Sequence, residues 1–239
     1  MPRGLRTVTP VLPAEMDSNR GLAYSLWLPD AGREPAGGIV ILHGAGSCKE
    51  NHHDFARAAL AAGFAALAFD QRGHGESAGP MGAGALEDVA AMTALLRERM
   101  GNPGARVALR GSSMGGYLAL LSAPLADAQA VVAICPASGE GLRRGLTSGG
   151  FRFDADVPAL ERMLSAHDLH AEVAGLRIPV LLLHAEGDAR VPVEHSRELA
   201  ESLSSPNSRL ITVPGGHHQS VQHDPELRAV SLRWLRRVL

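Results

Sequence analysis

Basic surplus, cysteine, aromatic residues and long apolar runs are all scarce in this chain. Its 23 lysine and arginine residues are outweighed by 25 aspartates and glutamates, for a net charge of −2 at pH 7. A nucleic-acid binder needs cationic excess to displace counterions from phosphates, so the balance argues against that class. Lys49 is the only lysine, and the arginines are scattered rather than gathered into a patch. Two cysteines do not build a disulfide framework. Cys48 falls in an expected loop and Cys135 at the end of an expected strand, so both are read as reduced. No apolar run approaches the ~18 residues of a membrane span. The start, Met-Pro-Arg-Gly-Leu-Arg-Thr, lacks the apolar core of a signal peptide. The expectation is a cytoplasmic protein without a membrane or nucleic-acid partner; oligomeric state is not legible.

What is present is ordinary globular composition, 45% hydrophobic and 20% charged, over 239 residues. That length can bury a large core within one α/β domain. Short β-rich runs alternate with helical patterns, as parallel sheets built from βαβ units do. The continuous apolar run Gly38–Leu42 predicts a strand covered on both faces. Phe64–Phe69, Arg106–Leu109, Ala130–Cys135, Val180–Leu183 and Leu210–Val213 read as further strands, and Gly21–Leu28 as an early one that Thr7–Leu12 could join as a hairpin. Leu86, Val89, Met92, Leu96 and Met100 recur at helical spacing, as do Leu227, Val230, Trp234 and Val238. Met114–Leu121 and Val193–Leu203 are shorter helical candidates. Pro136 to Arg177 separates two strands by about forty residues, where a crossover needs roughly a dozen. With an expected helix over Pro158–Ala166, this stretch (about residues 136–177) reads as a small cap inserted into a single domain spanning 1–239; an elongated surface loop is the alternative.

Gly111-Ser112-Ser113-Met114-Gly115 matches G-x-S-x-G. The match alone carries little in a chain with 27 glycines. Its setting, directly after a strand and opening a helix, is the one a nucleophile elbow requires. Ser113 is then the expected nucleophile; its rival Ser112 has Arg110 where the spacing wants glycine. A serine hydroxyl needs a base, and the base an orienting carboxylate, which in this architecture follow in the order Ser, acid, His. Asp188, in His184-Ala-Glu-Gly-Asp-Ala-Arg-Val-Pro just past a strand, is the expected acid, although a mere turn or helix-capping role is open to it. The base lies in Gly215-Gly216-His217-His218 after the last strand. The spacing from Gly215 favours His218, while Gly-Gly-His alone would favour His217. Upstream, Leu42-His43-Gly44-Ala45-Gly46 ends a central strand, and the backbone N–H groups of Ala45 and Met114 are the expected oxyanion donors.

These features together resemble the α/β-hydrolase superfamily. The resemblance spans about Ile39 to Leu239 and rests on His43-Gly44, Asp70-Gln-Arg-Gly-His-Gly-Glu-Ser77, the elbow, Gly187-Asp188 with Val191-Pro192, and the Gly-Gly-His-His run. It implies an α/β fold with a mostly parallel sheet of about eight strands, helices on both faces, and a serine hydrolase that cleaves a small ester or thioester through an acyl-enzyme. It implies no cofactor, and Asp70–Ser77 as a structural loop rather than a catalytic one. The chain is most similar to small bacterial esterases and dienelactone-hydrolase-like proteins, differing from dienelactone hydrolases in carrying Ser113 where they carry Cys. Two other readings stand beside it. His52-His53 and His217-His218 suggest a metal site, but their spacing matches no zinc pattern, so no metal is expected. A non-catalytic ligand-binding protein on the same fold is the other.

Overall fold

The computed structural model describes residues 10–239. Eight strands form one sheet: β1 (Glu15–Asn19), β2 (Leu22–Trp27), β3 (Gly38–Leu42), β4 (Ala65–Phe69), β5 (Val107–Ser112), β6 (Ala130–Ile134), β7 (Val180–Ala185) and β8 (Arg209–Val213). Their spatial order is β1-β2-β4-β3-β5-β6-β7-β8. β4, β3 and β5 to β8 run parallel, while β2 is antiparallel to both β1 and β4. The expected α/β fold with about eight mostly parallel strands is the one observed.

Helices cover both faces because the strands are apolar on both. In β3, Ile39 and Ile41 enter one core while Val40 and Leu42 enter the other. The first face is closed by α1 (His53–Ala61), α8 (Ser220–His223) and α9 (Pro225–Val238), through Phe55, Val221, Trp234 and Leu235. The second is closed by α2 (Ala85–Arg99), α3 (Met114–Ser122) and α7 (Val193–Ser202), through Met92, Leu96, Leu118 and Leu199. Each such fully buried side chain contributes about 1.5–3 kcal/mol relative to exposure.

The early hairpin differs from expectation. Residues 7–9 of the proposed Thr7–Leu12 strand lie outside the described residues, and residues 10–12 form no strand. Glu15–Asn19 pairs with β2 instead. The turn between them, Arg20 (φ 52) and Gly21 (φ 77), has both residues left-handed, the geometry that suits a two-residue hairpin and sets this register. β5 also runs three residues past its expected end, through buried Arg110.

Residues 136–177 hold three helices, α4 (Gly139–Thr147), α5 (Val157–Ala166) and α6 (Leu169–Gly175). Each starts on a side-chain cap: Ser138 accepts from Gly141 N–H, Asp156 from Ala159 N–H, and Asp168 from His170 and Ala171 N–H. Their apolar sides, including Leu142, Leu160, Met163 and Val173, merge with the core on the α2–α3 face. Among the described residues, no helix is long and apolar enough to cross a membrane.

Candidate active site

Ser113 sits between β5 and α3 with φ 55 and ψ −118, a conformation that costs a non-glycine residue about 1–3 kcal/mol. Surrounding bonds hold it there: its N–H donates to Ile134 O (2.9 Å), and its carbonyl accepts from Tyr117 N–H (3.0 Å) and Ala137 N–H (3.1 Å). Two glycines make the turn sterically possible. A Cβ on Gly111 would lie 2.0 Å from Gly115 O, and one on Gly115 would lie 2.4 Å from Leu42 O and 2.5 Å from His43 O. The Ser113 hydroxyl does not cap α3. Ser112, by contrast, is buried with its hydroxyl committed to Gln222 Oε1 at 2.5 Å.

Asp188 lies on the loop after β7, and His218 on the loop after β8. His218 Nδ1 is 2.6 Å from Asp188 Oδ2. Because a carboxylate only accepts, this nitrogen carries the proton and Nε2 keeps a free lone pair. Asp188 Oδ1 accepts from Arg190 N–H (2.8 Å) and Val191 N–H (3.0 Å). Burial works to raise the Asp188 pKa, but bonds from Val191, His218 and Arg190 outweigh it and leave the carboxyl below its ordinary value. His217 is exposed, its N–H held by Ser220 Oγ at 2.9 Å. The structure therefore brings His218, and not His217, to Asp188. No hydrogen bond joins His218 to Ser113 Oγ among the described residues.

On the opposite side, the loop after β3 is braced by two histidines. His43 is fully buried; its Nε2 accepts from Gln71 N–H (3.0 Å), which places the proton on Nδ1 beside Gly44 O (2.8 Å). His74 Nε2 accepts from Gly46 N–H (3.1 Å), and its ring stacks on Phe153 at 4.2 Å. The Ala45 N–H between these anchors donates to nothing among the described residues. Met114 N–H belongs to the first turn of α3, where intrahelical acceptors are missing.

Lys49, noted in the sequence only as its single lysine, is one of several buried residues that brace the site. Lys49 is 1% exposed and bonded to Asp70 (2.8 Å), Glu76 (2.6 Å) and Glu50 (2.8 Å). Burial opposes its charge, yet these carboxylates hold its pKa above the ordinary lysine value. Asp70 also accepts from Lys49 N–H (2.7 Å) and Glu76 N–H (3.0 Å), so Asp70–Ser77 is a braced loop. His184 is buried beside Asp188, its Nε2 donating to Val191 O (2.9 Å) and its Nδ1 accepting from Ser196 Oγ (2.7 Å). Cys135, His184 and Asp188 gather three potential metal-ligating atoms within 4.8 Å of one another. Those of His184 and Asp188 are also engaged in hydrogen bonds, and burial pushes the Cys135 thiol up to about 12.

A narrow recess opens beside the elbow, lined only by apolar side chains, including Met114, Met81, and Leu142, Phe151, Phe153 and Met163 of the α4–α5 region.

Two family models match the chain, one described as serine aminopeptidase, S33, over residues 33–147 and one as TAP-like protein over residues 162–235. Among solved structures, the monoacylglycerol lipase of Paleococcus ferrophilus superposes with a TM-score of 0.73 at 21% identity, covering 91% of this chain and 99% of that one. Together with the sheet order, these matches make the chain an α/β-hydrolase in fold. The ferulic-acid-bound Est1E of Butyrivibrio proteoclasticus superposes equally well, TM-score 0.73 at 21% identity, covering 92% and 96%. In sequence, this α/β-hydrolase is 27% identical to a monoacylglycerol lipase of Mycolicibacterium smegmatis, over 87% of its own length and 89% of the relative's. It is also 30% identical to the uncharacterized Escherichia coli protein YfhR, over 65% of this chain and 53% of that protein. Lipases and an esterase are thus among the proteins it is similar to.

Proposed function

We propose that this hydrolase is a serine esterase acting on small carboxylic esters or thioesters through an acyl-enzyme, with Ser113 as nucleophile, His218 as base and Asp188 as its orienting acid. The observation that carries this reading is the 2.6 Å His218–Asp188 pair on loops at the carboxyl ends of parallel strands in the same sheet, as is the strained Ser113. Ser113 Oγ attacks the substrate carbonyl carbon while His218 Nε2 takes its proton, and Asp188 stabilises the imidazolium. The oxyanion is received by the N–H groups of Ala45 and Met114, aided by the positive end of α3. Collapse expels the alcohol or thiol, protonated by His218. Water then attacks the acyl carbon, its proton passing to His218, and the acid leaves as Ser113 recovers its proton.

The apolar recess is the acyl subsite in this reading, and helices α4 to α6 form the cap above it. Its narrowness favours short acyl chains. The monoacylglycerol lipases and esterase among its relatives support an ester rather than a peptide bond as the target. Turnover of p-nitrophenyl esters is the test. Ser113→Ala is expected to abolish it while leaving the Tm within a few degrees of the parent, because the hydroxyl makes no hydrogen bond among the described residues. Retained turnover in that variant would falsify the assignment, and a preference for long chains would contradict the subsite.

A further inference from the structure

β5, a strand covered on both faces, carries a charged residue in its buried interior. Arg110 is 2% exposed, and no carboxylate pairs with it among the described residues. Removing a guanidinium from water is costly without compensation, so its contacts identify what the residue is for. Its guanidinium lies 4.1 Å from the centroid of the Phe55 ring, and Nη1 donates to His52 Nδ1 at 3.0 Å. Nη2 donates to the backbone carbonyl of Gln222 at 3.1 Å. Ser112 Oγ, two residues along the same strand, donates to the side chain of the same Gln222 at 2.5 Å. Two residues of β5 thus grip both the main chain and the side chain of one residue of α8.

The location of this clasp gives it a role. Ser112 directly precedes Ser113, and Gln222 follows His218 by four residues, with buried Val221 between. The loop carrying His218 includes two left-handed glycines, Gly215 (φ 68) and Gly216 (φ 73). On its upstream side it is tied to the β7 loop by Gly187 N–H to Gly215 O (2.8 Å). Downstream it leads into α8, a helix of only four residues that one turn of hydrogen bonds cannot hold in place. The bonds from β5 therefore link the strand that leads into Ser113 to the helix that follows His218.

We propose that Gln222, clasped by Arg110 and Ser112, is a positioning residue that fixes His218 relative to Ser113. The proposal rests on the reading of Ser113 and His218 as nucleophile and base. A misplacement of about 1 Å at a reacting group can cost roughly 100-fold in rate. Gln222→Met keeps side-chain length and the backbone carbonyl that Arg110 uses but removes the acceptor for Ser112. Ser112→Ala removes the donor. Each is expected to lower kcat about ten-fold or more with KM changed less than about two-fold, and to slow fluorophosphonate labelling of Ser113 in proportion. The double variant is expected to be no slower than the worse single one, because both changes cut one bond. Gln222→Glu, which keeps the acceptor, is expected to recover most of the rate. Parental kcat and labelling rates in Gln222→Met, additive losses in the double variant, or a lowered Tm with kcat unchanged would each overturn the proposal. Absence of Ser113 labelling in the parent protein would overturn it together with the reading beneath it, whereas normal parental labelling with unaffected variants overturns the proposal alone.

Discussion

At the scale of single residues, the atoms proposed to react stand out because they carry no hydrogen-bond partner while several of their neighbours do. Ser112, His43, His74 and His184 all have assigned hydrogen-bond partners, while Ser113 Oγ, His218 Nε2 and Ala45 N–H do not among the described residues. Asp188 has both oxygens occupied and a depressed pKa, which suits the proposed role of stabilising a His218 imidazolium. Asp188→Asn removes the carboxylate charge and presents an amide that selects the wrong imidazole tautomer. Its kcat is expected to fall by on the order of 10⁴ with KM little changed, read from steady-state ester hydrolysis. A loss under about ten-fold would show that Asp188 is not the partner of the base. The preference for Ser113 over Ser112 as the proposed nucleophile was legible from glycine spacing alone. The choice between His217 and His218 was not, because the direction of two adjacent loop side chains depends on Gly215, Gly216 and Ser220 acting together.

At the scale of elements, legibility followed burial. β3 was readable to the residue because its apolar run is continuous, as two-sided coverage demands. β1 was not, being a polar edge strand whose register comes from the Arg20–Gly21 turn. α4 was hidden by its three glycines, and α1 by an apolar face made largely of alanine. Arg110 and Gln222 meet across 112 residues of sequence, a contact no local pattern encodes. The elbow shows how tightly elements approach here. Gly115→Ala is expected to destabilise the fold by about 3 kcal/mol, since its Cβ would press on the backbone of β3 and the loop after it. Gly175→Ala, with open space around its Cβ at the end of α6, is the matched control and should be neutral or slightly stabilising. Equal urea midpoints for the two variants would contradict this account.

At the scale of the whole molecule, burial of neutral histidines ties stability to pH. Desolvation lowers His43 to about 4 and, with the nearby Arg110 charge, holds His52 well below its ordinary value. His74, His184 and His195 are lowered too, with burial the leading cause in each. Below the ordinary histidine pKa the unfolded chain takes up protons that the folded chain refuses. Their contribution is therefore intact above about pH 6.5 and is lost as pH falls toward about 4. Asp188, with its depressed pKa, adds a loss of the same sign at lower pH. Denaturant midpoints should fall steeply between pH 6.5 and 4, and a flat profile there would show that these histidines are not buried neutral.

The central claim is that Ser113 is an activated nucleophile, and reaction with a fluorophosphonate tests it most directly. Intact-mass and peptide analysis should find one phosphonyl adduct per chain, on Ser113, and none on Ser113→Ala. A folded protein that takes no adduct would instead favour a non-catalytic binding role, and an adduct on Ser112 or elsewhere would contradict the assignment of the site.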